Sequence, residues 1–328
     1  MTKPRIFVTR RIPQEGLEIL KRCCQVEVSD YDGVIPRSLL LEKVKDTDGL
    51  LVLLTDMIDK KVIVAAGKKL RVISNYAVGY NNIDVVEATK RGIMVTNTPG
   101  VLTETTADLA WALLMCIGRR IVEGDKLVRA GKFRGWEPML LLGTDIHEST
   151  LGLIGFGRIG QAMARRAKGF NLKVIYYDRE PVPPIIEKEL GASYVSFDEL
   201  LRKSDFISVH VPLTEETFHL IGQEEFSMMK KESYLINTAR GPIIDEKALV
   251  KALKGGVIRG AALDVFENEP AIEQELMNLN NVVIVPHIGS ASYRTRTKMA
   301  IMAAKNLISA LRGERPEFLV NPEVLGKN

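Results

Sequence analysis

Leu151-Gly152-Leu153-Ile154-Gly155-Phe156-Gly157-Arg158-Ile159-Gly160 is an apolar run that ends in three glycines spaced G-x-G-x-x-G. Glycine hexapeptides also occur by chance in ordinary βα turns, so the motif takes its meaning from its surroundings. Residues 150–154 read as a strand buried on both faces, residues 159–168 as a helix leading out, and the next apolar run closes on Asp178. A mononucleotide-binding βαβ unit places its acidic residue ~20 residues beyond the glycines, which is where Asp178 falls. A tight glycine turn running into a helix lets backbone N–H groups approach a pyrophosphate at the positive end of the helix dipole. Gly155, Phe156, Gly157, Arg158, Ile159 and Gly160 are therefore candidate dinucleotide-binding residues. Asp178 would accept hydrogen bonds from ribose hydroxyls and repel a 2′-phosphate, which favours NAD(H). Arg179 beside it leaves NADP(H) possible.

The same alternation extends in both directions. Apolar runs at 173–177, 206–211, 234–237, 260–263 and 282–285 follow the motif, and runs at 6–8, 50–54, 72–75 and 94–96 precede it. Segments at 14–22 and 37–44 carry helix-period apolar positions. Thr103 reads as the N-cap of a helix with Leu109, Leu113 and Ile117 on one face, and residues 291–311 as a long amphipathic helix. Strands without polar alternation, separated by helices, form parallel sheets covered on both faces. At 328 residues the chain exceeds one ordinary core. The expected fold class is α/β, two doubly wound parallel-sheet domains of Rossmann/flavodoxin-like type with a cleft between them. Residues 1–98 plus 290–328 are expected to form a substrate-binding domain, and residues 99–289 an inserted dinucleotide-binding domain. Residues 131–148 are too apolar for a free loop and too interrupted by Gly and Pro for one regular element. The stretch of about 118–148 is accordingly expected to be a dimerisation arm lying on a second copy of the chain.

Composition removes several function classes. The 45 basic and 41 acidic residues are scattered without a basic block, which argues against a nucleic-acid partner. No apolar run reaches the ~18 residues of a membrane span, and no leader-like segment precedes the first strand. Cys23, Cys24 and Cys116 show no C-x-x-C spacing and read as free thiols, consistent with a cytoplasmic protein. The four histidines are dispersed, so no catalytic metal is expected. Of these, His147 and His219 read as exposed, and His210 as a structural residue at a strand end.

Three later segments end a strand on a chemically useful residue: Asn237-Thr238-Ala239-Arg240-Gly241, Asp264-Val265-Phe266-Glu267-Asn268-Glu269-Pro270 and Pro286-His287-Ile288-Gly289-Ser290. In an open parallel sheet, the carboxyl ends of the strands face the ligand crevice. Each residue alone has a plain reading: a surface arginine, a turn glutamate, a packed histidine. Together they form a guanidinium to hold a carboxylate, an acid to protonate a carbonyl and a carboxylate to support that acid.

With these motifs in this order, the whole chain resembles the D-2-hydroxyacid dehydrogenase family, most closely its glyoxylate/hydroxypyruvate reductase branch. Thr98-Pro99-Gly100, the run Val101 to Asp108, and Trp136-Glu137-Pro138 carry the branch resemblance. The resemblance implies reduction of a small 2-keto acid to the 2-hydroxy acid by a homodimer. Arg240, Glu269 and His287 fall on the family's catalytic positions, with His287 as acid and Glu269 stabilising the imidazolium. Thr106, Thr238, Asp264 and Gly289 fall near the nicotinamide and its ribose. Val78 and Gly79 fall on backbone donors to the substrate carboxylate, and Leu54 and Trp136 on the substrate pocket, Trp136 from the neighbouring subunit. Phosphoglycerate- or phenylpyruvate-type dehydrogenases of the same family are the alternative. Formate dehydrogenases carry glutamine where this chain has Glu269, and NAD-sensing co-repressors are a more distant alternative.

Overall fold

The computed structural model describes residues 3–327. The chain begins β1 (Arg5–Val8), α1 (Gln14–Cys23), β2 (Gln25–Val28), α2 (Arg37–Lys43), β3 (Gly49–Val52), α3 (Lys60–Ala66), β4 (Val72–Asn75), α4 (Val85–Lys90) and β5 (Met94–Thr96). It continues α5 (Thr103–Gly118), α6 (Ile121–Arg129), β6 (Thr150–Ile154), α7 (Arg158–Lys168), β7 (Lys173–Tyr177), α8 (Pro184–Leu190), β8 (Ala192–Tyr194), α9 (Phe197–Lys203) and β9 (Phe206–Val209). Then follow α10 (Gln223–Met228), β10 (Tyr234–Asn237), α11 (Glu246–Lys254), β11 (Gly260–Leu263), α12 (Gln274–Met277), β12 (Val282–Ile284) and α13 (Tyr293–Leu311). These elements make two units, one of residues up to Leu102 together with those from Ser290 on, the other of Thr103–Gly289.

The Thr103–Gly289 unit is built on a parallel sheet ordered β12-β11-β10-β9-β6-β7-β8. The strand order reverses between β6 and β9, the position where doubly wound sheets open a crevice at their carboxyl ends. Both faces are covered. On one, Ala107, Ala110 and Leu114 of α5 and Ala162 and Met163 of α7 pack on Leu151, Leu153 and Tyr176. On the other, Leu200 of α9 and Leu249 and Leu253 of α11 pack on Ile207, Leu235 and Ala261. The central strands are mostly apolar and almost wholly buried because both faces are covered.

The other unit carries a five-stranded parallel sheet ordered β2-β1-β3-β4-β5, a flavodoxin-like order. α1 and α13 cover one face, burying Leu17, Leu20, Met299, Ala303 and Leu307 against Ile6, Val8, Leu51 and Val72. Leu40, Val62, Ile63 and Ala88 of α2, α3 and α4 cover the other. None of the three cysteines is in a disulfide, and no helix among the described residues is long and apolar enough to cross a membrane.

Several expected boundaries move for local reasons. The run at 50–54 stops pairing at Val52, because the Asp56 carboxylate accepts the Leu53 N–H at 2.8 Å and turns the chain. The run at 206–211 stops at Val209, where residues 210–211 pack against the glycine turn instead. Thr103 is the first residue of α5 rather than its cap, and α13 starts at Tyr293 with Ser292 as cap, its side chain accepting the Thr295 N–H. The edge strands β2 and β8 have polar, partly exposed residues and give no apolar run to read.

Candidate active site

The three glycines of the hexapeptide are held by three different constraints. Gly155 has φ +91°, and a Cβ there would press on the backbone of His210 and Val211 at 2.7–2.8 Å. A Cβ on Gly160 would collide with the Gly155 carbonyl, so the third glycine lets α7 sit down on the turn. Around Gly157 there is open space, as expected where backbone must approach a pyrophosphate. The Phe156 N–H donates to Asp178 Oδ2 at 2.7 Å and the Arg179 N–H to Oδ1 at 2.8 Å, so the acidic residue after β7 is fixed beside the turn. Arg179 itself is exposed. A cradle open only at the middle glycine, with a carboxylate oriented one strand away, fits a nicotinamide dinucleotide.

Thr106, Asp264 and Gly289 come together further along the carboxyl edge of the same sheet, and Thr238 follows β10 at that edge. Asp264 is fully buried; its Oδ1 accepts the Ile288 N–H at 2.6 Å and its Oδ2 the Gly289 N–H at 2.8 Å. Burial pushes its carboxyl up, while those two amides and the His287 charge pull it down. Gly289 leaves room for these groups, since a Cβ there would stand 3.1 Å from Asp264 Oδ2 and 3.4 Å from Thr106 Cγ2. The Thr238 hydroxyl is buried without a hydrogen-bond partner, an orphan that a bound polar group would satisfy.

The loops after β10, β11 and β12 supply the reactive groups. His287 Nδ1 and Glu269 Oε2 stand 2.8 Å apart, and Glu269 Oε1 accepts the Phe266 N–H at 3.0 Å. Burial alone would raise the Glu269 carboxyl. The His287 bond and charge, the Phe266 amide and the Arg240 charge outweigh it and hold Glu269 below the usual carboxylate range. His287 adopts φ +52°, rare for a residue with a side chain and the kind of strained geometry that collects at working sites. Arg240 is placed by the Asn237 side chain, which donates to its carbonyl at 2.9 Å, while Arg240 Nη1 donates to the Ala239 carbonyl at 2.7 Å. Burial lowers its guanidinium and the Glu269 charge acts the other way. Gly241 lets the Arg240 loop lie directly on Phe266 and Glu267, where any Cβ would collide.

Two histidines need comment. His219 is not simply exposed: its Nε2 lies 3.0 Å from Glu267 Oε1, making a second histidine–carboxylate pair, and the Glu267 N–H donates to Glu246 Oε1 at 2.5 Å. Phe218 and His219 stack at 4.0 Å, and the His219 backbone N–H donates to the Pro242 carbonyl at 2.8 Å. Glu267 and Glu269 are two residues apart in one motif, and only the fold decides which glutamate meets which histidine. His210 pairs with Ser208 Oγ at 2.9 Å, and burial drives it down to about 3, so it stays neutral. In the unit built on β1–β5, Leu54 lies in the turn after β3, and Val78 and Gly79 in the turn after β4, all partly exposed. Trp136 is 84% exposed in the irregular segment after α6.

A dinucleotide fold with a histidine–carboxylate dyad and an arginine at its carboxyl edge defines a nicotinamide-dependent oxidoreductase. The family model for the D-isomer specific 2-hydroxyacid dehydrogenase, NAD binding domain, matches residues 111–289. The glyoxylate reductase of Thermococcus litoralis is 54% identical over 327 residues, covering 98% of each chain. That of Korarchaeum cryptofilum is 55% identical over 328 residues, covering 98% of this chain and 97% of the other. The solved NADPH-dependent glyoxylate/hydroxypyruvate reductase of Sinorhizobium meliloti, in complex with NADP and malonate, matches with a TM-score of 0.86 at 33% identity over 98% of both chains. The chain belongs to the D-2-hydroxyacid dehydrogenase family.

Proposed function

We propose that this protein reduces glyoxylate, and hydroxypyruvate with it, to the corresponding 2-hydroxy acid. The observation that carries the reading is the His287–Glu269 pair at 2.8 Å, on strand ends of a dinucleotide-binding unit that also presents Arg240. Protonated His287 donates to the keto oxygen, and Glu269 holds the ring in place through its Nδ1. Arg240 binds the acid and polarises its carbonyl, and the Val78 and Gly79 amides take the carboxylate. The dinucleotide, when bound at Gly155–Gly160 and Asp178, supplies the hydride. Thr106, Thr238, Asp264 and Gly289 position it, and Leu54 and Trp136 close on the substrate's carbon side.

The relatives named above support glyoxylate as substrate, and a spectrophotometric panel tests it. Glyoxylate and hydroxypyruvate should be turned over with the highest kcat/KM. A clear preference for phenylpyruvate or a phosphorylated acid would move the protein to another branch of the family. The same panel, run with both cofactors, tests the role of Asp178. NADH is the favoured partner because a 2′-phosphate would meet the Asp178 carboxylate. Asp178→Ser, with Arg179 in place, should raise the NADPH-to-NADH ratio of kcat/KM by about tenfold. A wild-type preference for NADPH would refute the assignment and leave the dinucleotide turn intact.

A homodimer completes the proposal. Helix α6 has no buried residue, and Phe133, Trp136 and Met139 are 55%, 84% and 75% exposed in this chain. Such a patch is better covered than wet. Light scattering should give a mass of two chains, and Trp136→Glu should shift it toward one. A wild-type monomer that persists at all concentrations contradicts the interface.

A further inference from the structure

The turn after β4 presents a row of backbone donors that side chains from two strands hold in place. Four consecutive carbonyls, of Ala77, Val78, Gly79 and Tyr80, are all taken up by the protein. The Thr98 N–H donates to Ala77 O at 2.9 Å, Asn97 Nδ2 to Val78 O at 2.7 Å, Asn75 Nδ2 to Gly79 O at 2.8 Å and the Ile83 N–H to Tyr80 O at 3.0 Å. In a planar trans peptide the N–H of one residue points opposite to the carbonyl of the residue before it. Carbonyls drawn inward at 77, 78 and 79 therefore turn the N–H groups of Val78, Gly79 and Tyr80 the other way. Among the described residues, none of these three N–H groups has a hydrogen-bond partner. Successive unsatisfied amides on a partly exposed turn form a concave anion site, here at the carboxyl end of a parallel sheet, where ligands bind.

The two asparagines make this arrangement durable. Asn75 is the last residue of β4 and is fully buried, and its Nδ2 also donates to Asn82 Oδ1 at 3.2 Å. Asn97 follows β5 directly, and its own backbone is tied on both sides: its N–H donates to Phe318 O at 3.3 Å and its carbonyl accepts from Asn306 Nδ2 at 3.1 Å. Without the amide groups of Asn75 and Asn97, the carbonyls of Gly79 and Val78 would turn toward water. The following amides would then rotate away from the anion.

We propose that Asn75 and Asn97 are positioning residues for carboxylate binding, each holding one peptide of the 77–80 turn so that three amide N–H groups, Tyr80's included, face the carboxylate of the 2-keto acid. This rests on the reading of the protein as a 2-keto acid reductase. Neither asparagine touches substrate, so their loss acts through the orientation of the turn. Asn97 is partly exposed and is the cleaner variant; Asn75→Ala repeats the test on the neighbouring peptide. The probe is oxamate, an unreactive monocarboxylate of 2-keto acid shape, titrated by calorimetry into the full-length protein saturated with NADH. Glyoxylate kinetics are measured alongside.

In Asn97→Ala, the oxamate Kd and the glyoxylate KM should both rise on the order of tenfold, as expected for losing a hydrogen bond to a charged group. The value of kcat should change less than threefold, and NADH affinity and Tm should stay close to wild type. That split marks lost ground-state binding rather than lost chemistry. Unchanged oxamate Kd and glyoxylate KM in a folded Asn97→Ala protein overturn the proposal, as does a wild-type protein that binds no oxamate. If oxamate binding depends on Asn97 but no glyoxylate is turned over, the carboxylate site stands and the reductase reading fails.

Discussion

Replacing His287 with asparagine is expected to slow glyoxylate reduction by ~10²–10⁴-fold while leaving NADH binding intact. Asparagine fills a similar space and can still meet Glu269, but it holds no proton to give. The partner variant, Glu269→Gln, separates the acid from its support. Glu269 is kept below the usual carboxylate range chiefly by the His287 bond and charge acting against burial, so it stays ionised through the working range. Glu269→Gln removes the charge that faces the His287 ring at 2.8 Å while leaving a side chain of the same shape, so the reduction rate should fall and the pH profiles of both directions should change. In wild type, the contribution of Glu269 to stability is present above its unfolded value and is lost as pH falls through the depressed folded one. Neutral His210 adds nothing to these profiles, since burial holds it near 3. Profiles measured in both directions that do not move in Glu269→Gln would reduce the pair to a structural turn contact.

Arg240→Lys should lower kcat/KM for glyoxylate by ~10²–10³-fold, the range seen when one preorganised charged donor is removed from a reacting oxygen. Lysine keeps a charge but not the planar fork that meets a carboxylate with two parallel bonds. Burial already lowers the Arg240 guanidinium, and the same surroundings would press an ammonium toward its neutral form. Stability should fall far less, by about 0.5–1.5 kcal/mol, the size of one hydrogen bond such as that from Arg240 Nη1 to the Ala239 carbonyl. The comparison is kcat/KM against the urea midpoint. Near-wild-type kinetics would remove Arg240 from the site.

The central strands were legible because burial on both faces leaves a continuous apolar run. Residues 72–75, 150–154, 234–237 and 260–263 match β4, β6, β10 and β11 end to end. β2 and β8 were not, since these two edge strands carry polar, partly exposed residues and give no apolar run. The end of β3 depends on the Asp56 carboxylate capturing a backbone N–H three residues upstream, a contact that periodicity does not encode. In the site, placing Arg240, Glu269 and His287 at strand ends needed only the order of runs and turns. The Glu267–His219 pair was hidden because Glu267 and His219 lie 48 positions apart. The asparagines behind the 77–80 turn were hidden for a related reason: a side chain bound to a backbone carbonyl on a neighbouring strand leaves no pattern in either segment.

The arrangement of the two units also has a consequence during synthesis. Every residue of the dinucleotide unit is contiguous in the chain, from Thr103 to Gly289. The five-stranded sheet is instead finished by a helix made at the far end: α13 packs Met299, Ala303, Ala304 and Leu307 over Ile6, Val8, Leu51 and Val72. Those strands leave the ribosome roughly two hundred residues ahead of their cover. At ~5–20 residues per second, that face has only α1 over it, and lacks α13, for roughly 10–40 s. The nascent chain is thus most exposed to wrong association, and most dependent on chaperones, in the half of the molecule that carries neither His287 nor Arg240.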